Sequence, residues 1–263
     1  MGKIIAILNE KGGIAKSTTA KNLSIGLAGK GKKVLAIDLD PSGNLTKYLG
    51  LKADHEKTGT IREIINATIK YEELPNGYGI VNHPEGIDVI TSSREFRDCE
   101  TALVAAFQRE IVLRRYLLTI KDNYDYILID CQAGLGIFAT NALFAADKLI
   151  IPVQPHYGCV EATQNLFETV SMVRKLNGTG TKPEILGILF SVVRVNTNND
   201  KCIMENLRKS YANHVRIFKT CIPMSTTFPD SEVARQSIYK FAPNSSSAMI
   251  FNDFVDEVLE LEE

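Results

Sequence analysis

The sequence predicts one α/β domain with a mostly parallel, doubly wound sheet. Short apolar runs alternate with amphipathic helical segments along the whole chain, the pattern of strands joined by crossover helices. Two of those runs, KVLAID and YILID, end in an acid, as strands do at the ligand-binding edge of an open sheet. No repeat, low-complexity linker or heptad run interrupts the 263 residues, so a single domain, 1–263, fits better than two.

The elements follow in order. Lys3–Asn9 is a short apolar strand, Ser17–Gly29 a helix ending in glycine, and Lys33–Asp38 a second buried strand. A less regular stretch runs to about Pro84, with a short helix near Ile61–Ala67 and turn signals at Asn76-Gly77 and Pro84-Glu85-Gly86. Ile87–Thr91 reads as a strand, Cys99–Lys121 as one long helix, and Tyr126–Asp130 as a continuous apolar strand. The alternation then repeats: strand Lys148–Val153, helix Val160–Leu176, strand Ile185–Val193, helix Lys201–His214 and strand Arg216–Cys221. A last helix, Ser247–Glu260, sets Ile250, Phe251, Phe254, Val255 and Val258 on one face.

Composition bounds the function. The chain is 44% apolar and 23% charged, close to globular averages. No apolar run reaches the roughly 20 residues of a spanning helix; Leu135–Ile151 is broken by Thr140, Asn141, Asp147 and Lys148. The start runs directly into a strand, without a secretory core, and Ala6 fails the myristoylation pattern. A soluble, intracellular protein is expected. Five cysteines make no C-x-x-C pair and four histidines show no metal-ligand spacing. Net charge is −1, yet ten lysines face five acids in residues 1–60, while 251–263 hold six acids and no base.

Between the first strand and helix lies Asn9-Glu10-Lys11-Gly12-Gly13-Ile14-Ala15-Lys16-Ser17-Thr18-Thr19. Strand, glycine loop, then Lys-Ser at a helix start is a phosphate cradle. Gly12 and Gly13 let successive backbone N–H groups turn toward an anion, and the helix N-terminus adds partial positive charge. Lys16 would reach the β- and γ-phosphates, and Ser17 would coordinate Mg²⁺. The strict G-x-x-x-x-G-K-[ST] pattern fails, because its two glycines fall at Glu10 and Ala15.

With its second lysine, Lys11, the loop resembles the deviant Walker A motif, K-G-G-x-x-K-[ST], of the ParA/MinD class of P-loop ATPases. Asp38-Leu39-Asp40-Pro41-Ser42-Gly43-Asn44 is similar to the D-x-D-P-Q-G-N segment of ParA proteins, and Tyr126–Cys131 to their Walker B strand. Asn141-Ala142-Leu143, Ile151-Pro152-Val153-Gln154 and Thr220-Cys221-Ile222-Pro223 match in the expected order, so the likeness covers nearly the whole chain. It implies Mg²⁺·ATP held by Lys11, Gly12, Gly13, Ile14, Ala15, Lys16, Ser17 and Thr18, with Pro223 near the base. It further implies a homodimer sandwiching two ATP molecules, with Lys11 crossing to the partner's phosphates. Catalysis falls to Lys11, Lys16 and Asp40, the last orienting water, and the metal to Ser17, Asp38 and Asp130.

The resemblance also implies a cytoplasmic, nucleoid-associated bacterial protein whose ATP-bound dimer binds DNA non-specifically. A ParB-like centromere-binding partner would stimulate hydrolysis. Lys201, Arg208, Lys209, Arg216 and Lys219 are the candidate DNA contacts, with a solvated helix face as the plainer explanation. The acidic C-terminus opposes a MinD-like membrane helix. The nitrogenase iron protein shares the loop and binds a cluster through cysteines, but Cys131 follows Asp130 as in ParA proteins, so Cys99 and Cys131 read as buried thiols.

Three positions depart from the family. Ala15 replaces the glycine before Lys16, which costs about 1–2 kcal/mol if the backbone there is left-handed and more if the Cβ meets a phosphate. Gln132-Ala133-Gly134 replaces a proline-rich switch, and Met224–Phe228 lacks the usual arginines. A second reading therefore stays open: a hydrolysis-deficient or nucleotide-free interaction module on the same fold.

Overall fold

A computed structural model describes residues 2–156, 158–178, 182–211 and 215–262. In chain order the elements are β1 (Lys3–Ile7), α1 (Lys16–Gly29), β2 (Val34–Leu39), α2 (Asn44–Tyr48), α3 (Ile61–Ile69), β3 (Ile80–His83) and β4 (Ile87–Ile90). Then come α4 (Cys99–Ala105), α5 (Val112–Ile120), β5 (Tyr126–Cys131), α6 (Ile137–Ala145), β6 (Lys148–Val153) and α7 (Cys159–Leu176). The chain closes with β7 (Glu184–Val193), α8 (Asn198–Tyr211), β8 (Ile217–Pro223), α9 (Thr227–Val233), α10 (Ile238–Phe241) and α11 (Ser246–Glu260).

The strands form one sheet of order β3-β4-β2-β5-β1-β6-β7-β8. Every pairing is parallel except β3 with β4. Side chains alternate across each strand, so the central strands feed two cores. Ile4, Ala6, Leu35, Ile37, Ile127 and Ile129 enter the core under α3 to α7. Ile5, Ile7, Ala36 and Leu128 enter the core under α1 and α11. The doubly wound expectation is met.

Helix α1 is buried nearly all round because it lies between the sheet and α11. Gly26 permits that approach: a Cβ there would stand 2.5 Å from both the Tyr239 hydroxyl and Val255. On α11, Phe251, Phe254, Val255 and Val258 are the buried stripe, as its spacing predicts. Among the described residues no helix is long and apolar enough to cross a membrane.

The single helix expected over Cys99–Lys121 is corrected. The chain breaks after Ala105, exposes Phe107, passes through a left-handed Gln108 (φ 52°) and restarts as α5. Asn141 holds this break from α6. Its Nδ2 donates to the Arg109 carbonyl at 2.8 Å and its Oδ1 accepts from the Leu113 N–H at 3.0 Å. Strand β3 was not foreseen, since Ile80–His83 is a half-buried edge with no apolar run. Helices α2, α9 and α10 are short and also went unread, and the expected tail of α8, residues 212–214, lies outside the described residues.

Lys21 is fully buried in α1, donating to the Gln236 carbonyl at 3.0 Å and lying 5.8 Å from the Tyr48 ring centre. Burial pulls its pKa down to about 8, against the opposing pull of Glu232 and Glu85. Folding therefore disfavours its charged form: the penalty is full below pH 8 and is relieved as pH rises toward 10.5. The stability of the wild type relative to Lys21→Met should rise by about 3 kcal/mol across that window. Urea unfolding of both proteins between pH 7 and 10.5 checks this, and a flat difference would refute it.

Candidate functional site

The site sits beyond the carboxyl ends of β1, β2 and β5, where an open parallel sheet gathers its loops. A cavity of about 420 Å³ there is lined by Gly12, Gly13, Ala15, Lys16, Ser17 and Thr18 on one side. Asp40, Asn44 and Tyr48 close a second side, and Val192, Ile222, Pro223, Met224 and Phe228 a third. One wall is thus a phosphate-type loop and another an apolar slot for a flat ring.

The loop is held from outside itself. Asn9 donates to the Pro152 carbonyl at 2.7 Å and accepts from the Lys11 N–H at 3.2 Å. Ser191 donates to the carbonyl of buried Ile14 at 2.9 Å, and Gly134 N–H to the Glu10 carbonyl at 2.9 Å. The loop then turns into α1 through Ala15, whose φ of 63° and ψ of 32° are left-handed. The departure from glycine therefore carries the backbone cost considered above. The Ala15 carbonyl accepts from the Thr19 N–H and hydroxyl at 2.9 and 2.7 Å, which fixes the turn.

Lys16 is buried, and its ammonium donates to the Lys11 carbonyl at 2.6 Å. Burial lowers its pKa, while Asp130, Cys131 and Asp40 pull the other way. Asp38 and Asp130 lie directly opposite each other on β2 and β5, both fully buried. Asp38 Oδ2 accepts from the Thr46 N–H at 2.8 Å and hydroxyl at 2.7 Å, yet burial still pushes its pKa up to about 6. Both Asp130 oxygens are buried without a hydrogen-bond partner. Burial and neighbouring Asp38 raise its pKa well above the carboxylate range, partly opposed by the Ser17 side chain and Lys16. A buried, orphaned carboxylate beside a hydroxyl and a second carboxylate is an oxygen donor set that suits a hard divalent cation.

Asp40 lines the cavity, its Oδ1 accepting from the Ser42 N–H at 2.7 Å and its carbonyl from the Ser92 hydroxyl at 2.8 Å. Lys11 is exposed, outside the cavity lining, with its ammonium against His156 Nε2. The structure thus gathers Gly12, Gly13, Ala15, Lys16, Ser17, Thr18, Asp40 and Pro223 around one space, sets Asp38 and Asp130 behind it, and leaves Lys11 facing solvent. Cys99 and Cys131 are buried thiols, with burial pushing the first up to about 11 and the second well above its usual range.

The basic set is less uniform. Lys201, Lys209, Arg216 and Lys219 are exposed. Arg208 is half-buried, its guanidinium 5.4 Å from the Phe190 ring centre and donating to the Phe218 carbonyl at 3.4 Å. Four site residues escaped the sequence reading. Thr46 holds Asp38; Tyr48 and Phe228 line the slot; Glu232 accepts from Thr18 at 2.5 Å and ties α9 to α1. Nothing local to them marks a ligand. Val192, also lining the slot, has a φ of 54°, a genuine outlier for a β-branched residue.

Fold and site together define a P-loop nucleotide-binding protein. A family model described as an AAA domain matches residues 2–182. The sporulation initiation inhibitor protein Soj of Bacillus subtilis is 36% identical over 267 residues, covering 98% of each chain. The chromosome-partitioning ATPase Soj of Treponema pallidum is 30% identical, again covering 98% of each. A structure titled cobyrinic acid a,c-diamide synthase from Mycobacterium smegmatis, with bound ADP and magnesium, superposes with a TM-score of 0.80 at 25% identity, covering 99% of this chain and 95% of that one. The chain belongs to the ParA/Soj family of partitioning ATPases.

If Ala15 carries left-handed strain, Ala15→Gly should relieve it. The expected gain is about 1 kcal/mol, seen as a rise of about 2–4 °C in Tm. A thermal melt with no gain would show that the turn is unstrained.

Proposed function

We propose that the protein is a Mg²⁺·ATP-dependent partitioning ATPase whose ATP-bound homodimer binds DNA non-specifically and is released on hydrolysis. The observation that carries this is the gathering of Lys16, Ser17 and Asp40 around one cavity at the mouth of the glycine loop, with the unpartnered Asp130 buried behind it. The family and the ADP and magnesium in a similar structure support the ligand.

In this reading the amides of Gly12 to Thr18 and the α1 N-terminus hold the phosphates, and the slot of Ile222, Pro223 and Phe228 takes the base. The Lys16 ammonium gives one hydrogen to the Lys11 carbonyl and has two more to offer the phosphate oxygens. Ser17, Asp130 and Asp38 would hold Mg²⁺, directly or through water, and the ion would neutralise charge between the β- and γ-phosphates. Asp40, fixed by the Ser42 N–H, orients the attacking water. Lys11, exposed beside the loop, is free of the cavity and suits a role across the dimer interface. A cation supplied that way is worth about 10³–10⁵ in rate, so the isolated monomer should hydrolyse slowly. A ParB-like partner acts on this dimer, and the protein works in the cytoplasm on the nucleoid.

The decisive experiment is equilibrium binding of Mg²⁺·ATP to the wild type, Ala15→Gly and Lys16→Ala. Micromolar binding that Lys16→Ala abolishes is expected. The left-handed turn at Ala15 is already formed without nucleotide, so its backbone cost falls on stability, and tighter binding by Ala15→Gly would mean that the Ala15 Cβ crowds the phosphate. Binding seen only in Ala15→Gly would overturn the reading in favour of a nucleotide-free interaction module. Lys11→Ala should keep ATP binding but lose ATP-dependent dimerisation by light scattering, and Asp40→Ala should keep the dimer while losing hydrolysis.

A further inference from the structure

The segment Arg94–Asp98, R-E-F-R-D, is a 3₁₀ turn after β4. Three residues per turn sort its side chains into three faces. Phe96 goes inward and stacks on Phe138 at 4.3 Å between ring centres. Glu95 and Asp98 turn to one side, 3.8 Å from His55 and 4.0 Å from Arg62. Arg94 and Arg97 form the third face, and with Pro41, Ser42 and Lys47 they line a cavity of about 340 Å³. The acids of this neutral-looking segment are thereby taken up elsewhere, and the cations are concentrated in one place.

Among the described residues no carboxylate lies within ion-pair distance of Arg94, Arg97 or Lys47, and all three are exposed. Ser42, in the same lining, has a hydroxyl that is out of solvent and without a hydrogen-bond partner. Three unpaired cations and an orphaned hydroxyl around one recess form a site for an oxyanion. The recess is also wired to Asp40. Lys47 donates to the Ser42 carbonyl at 2.5 Å, and the Ser42 N–H donates to Asp40 Oδ1 at 2.7 Å.

We propose that Arg94, Arg97, Lys47 and Ser42 bind a phosphate group, supplied by the backbone of duplex DNA, and that its arrival is felt at Asp40 through the Ser42 turn. Two exposed guanidiniums and an exposed ammonium around the recess suit a phosphate presented on the ridge of a larger molecule. The DNA source rests on the partitioning reading above; the phosphate site does not. It also relocates DNA contact from α8, where Arg208 is turned inward, to the turn beside the hydrolytic carboxylate.

The test uses the full chain with Mg²⁺ and a non-hydrolysable ATP analogue. Anisotropy of a labelled random duplex is followed between 50 and 200 mM salt. Arg94→Gln/Arg97→Gln is compared with Lys201→Gln/Lys209→Gln, which removes equal charge from α8. The first pair should lower duplex affinity about tenfold or more and flatten the slope of log K against log salt by about 1 to 2. The second should cost less than about threefold. Equal losses in both, or none in the first, would overturn DNA as the source. Calorimetric titration with inorganic phosphate forms the second arm. Phosphate binding lost in Arg94→Gln/Arg97→Gln while the duplex is unaffected would assign the recess to free phosphate. Loss of neither would overturn the site itself. If the wild type fails to bind the ATP analogue or DNA, the partitioning reading fails, and the phosphate titration still decides the recess.

Discussion

The parallel pairing of β2 with β5 brings Asp38 level with Asp130, and the arrangement of the site follows from that register. Two carboxylates removed from water on adjacent strands repel each other and lack hydration, so both lean toward the protonated form. Their compensation is unequal: Thr46 supplies two donors to Asp38, whereas Asp130 has only the weaker pull of the Ser17 side chain and Lys16. The fold thus carries one satisfied carboxylate that anchors α2 and one unsatisfied carboxylate beside Ser17 and Lys16. A structure that needed only stability would place an apolar side chain at Asp130.

The same logic of stored cost runs through the backbone. Ala15 and Val192 both adopt positive φ, and both line the cavity. Neither residue chooses that region by preference, so the surroundings impose it. At Ala15 the imposition comes from the Thr19 bonds and the Asn9 and Ser191 clamps on the loop. At Val192 the following residue is held by β8, the Met224 N–H donating to the Val193 carbonyl at 2.8 Å. Lys21 adds a third cost, an ammonium buried in the helix that leaves the glycine loop. Ala15 and Val192 stand at the cavity and Lys21 in the helix that leaves it, while the left-handed Tyr71 and Gln108 belong to the other layer, beside the apolar core under α3 to α7.

Much of this was legible in residue order. The strands KVLAID and YILID announce themselves because a buried parallel strand is apolar on both faces, and the terminal acids mark the edge where the loops gather. The glycine loop and Lys16-Ser17 are contiguous, so one short window contains them. Tyr48, Phe228 and Glu232 were not legible, because each meets the site across a long stretch of chain, and Thr46, only eight residues from Asp38, because its side chain turns back onto that carboxylate through an irregular loop. The break at Gln108 was hidden for the same reason: its apolar spacing continues across the gap, and only Asn141, on another helix, makes two segments of one.

By itself the sequence determined the class of fold, the order of the central strands' acids and the phosphate loop, since these depend on local pattern and on spacing. Tertiary structure decided which charges are compensated. It paired Asp38 with Thr46 and left Asp130 bare, turned Arg208 inward onto Phe190, and split Arg94–Asp98 so that cations and anions part company. Charge compensation depends on distance in space and on exclusion of water, and neither quantity is written along the chain.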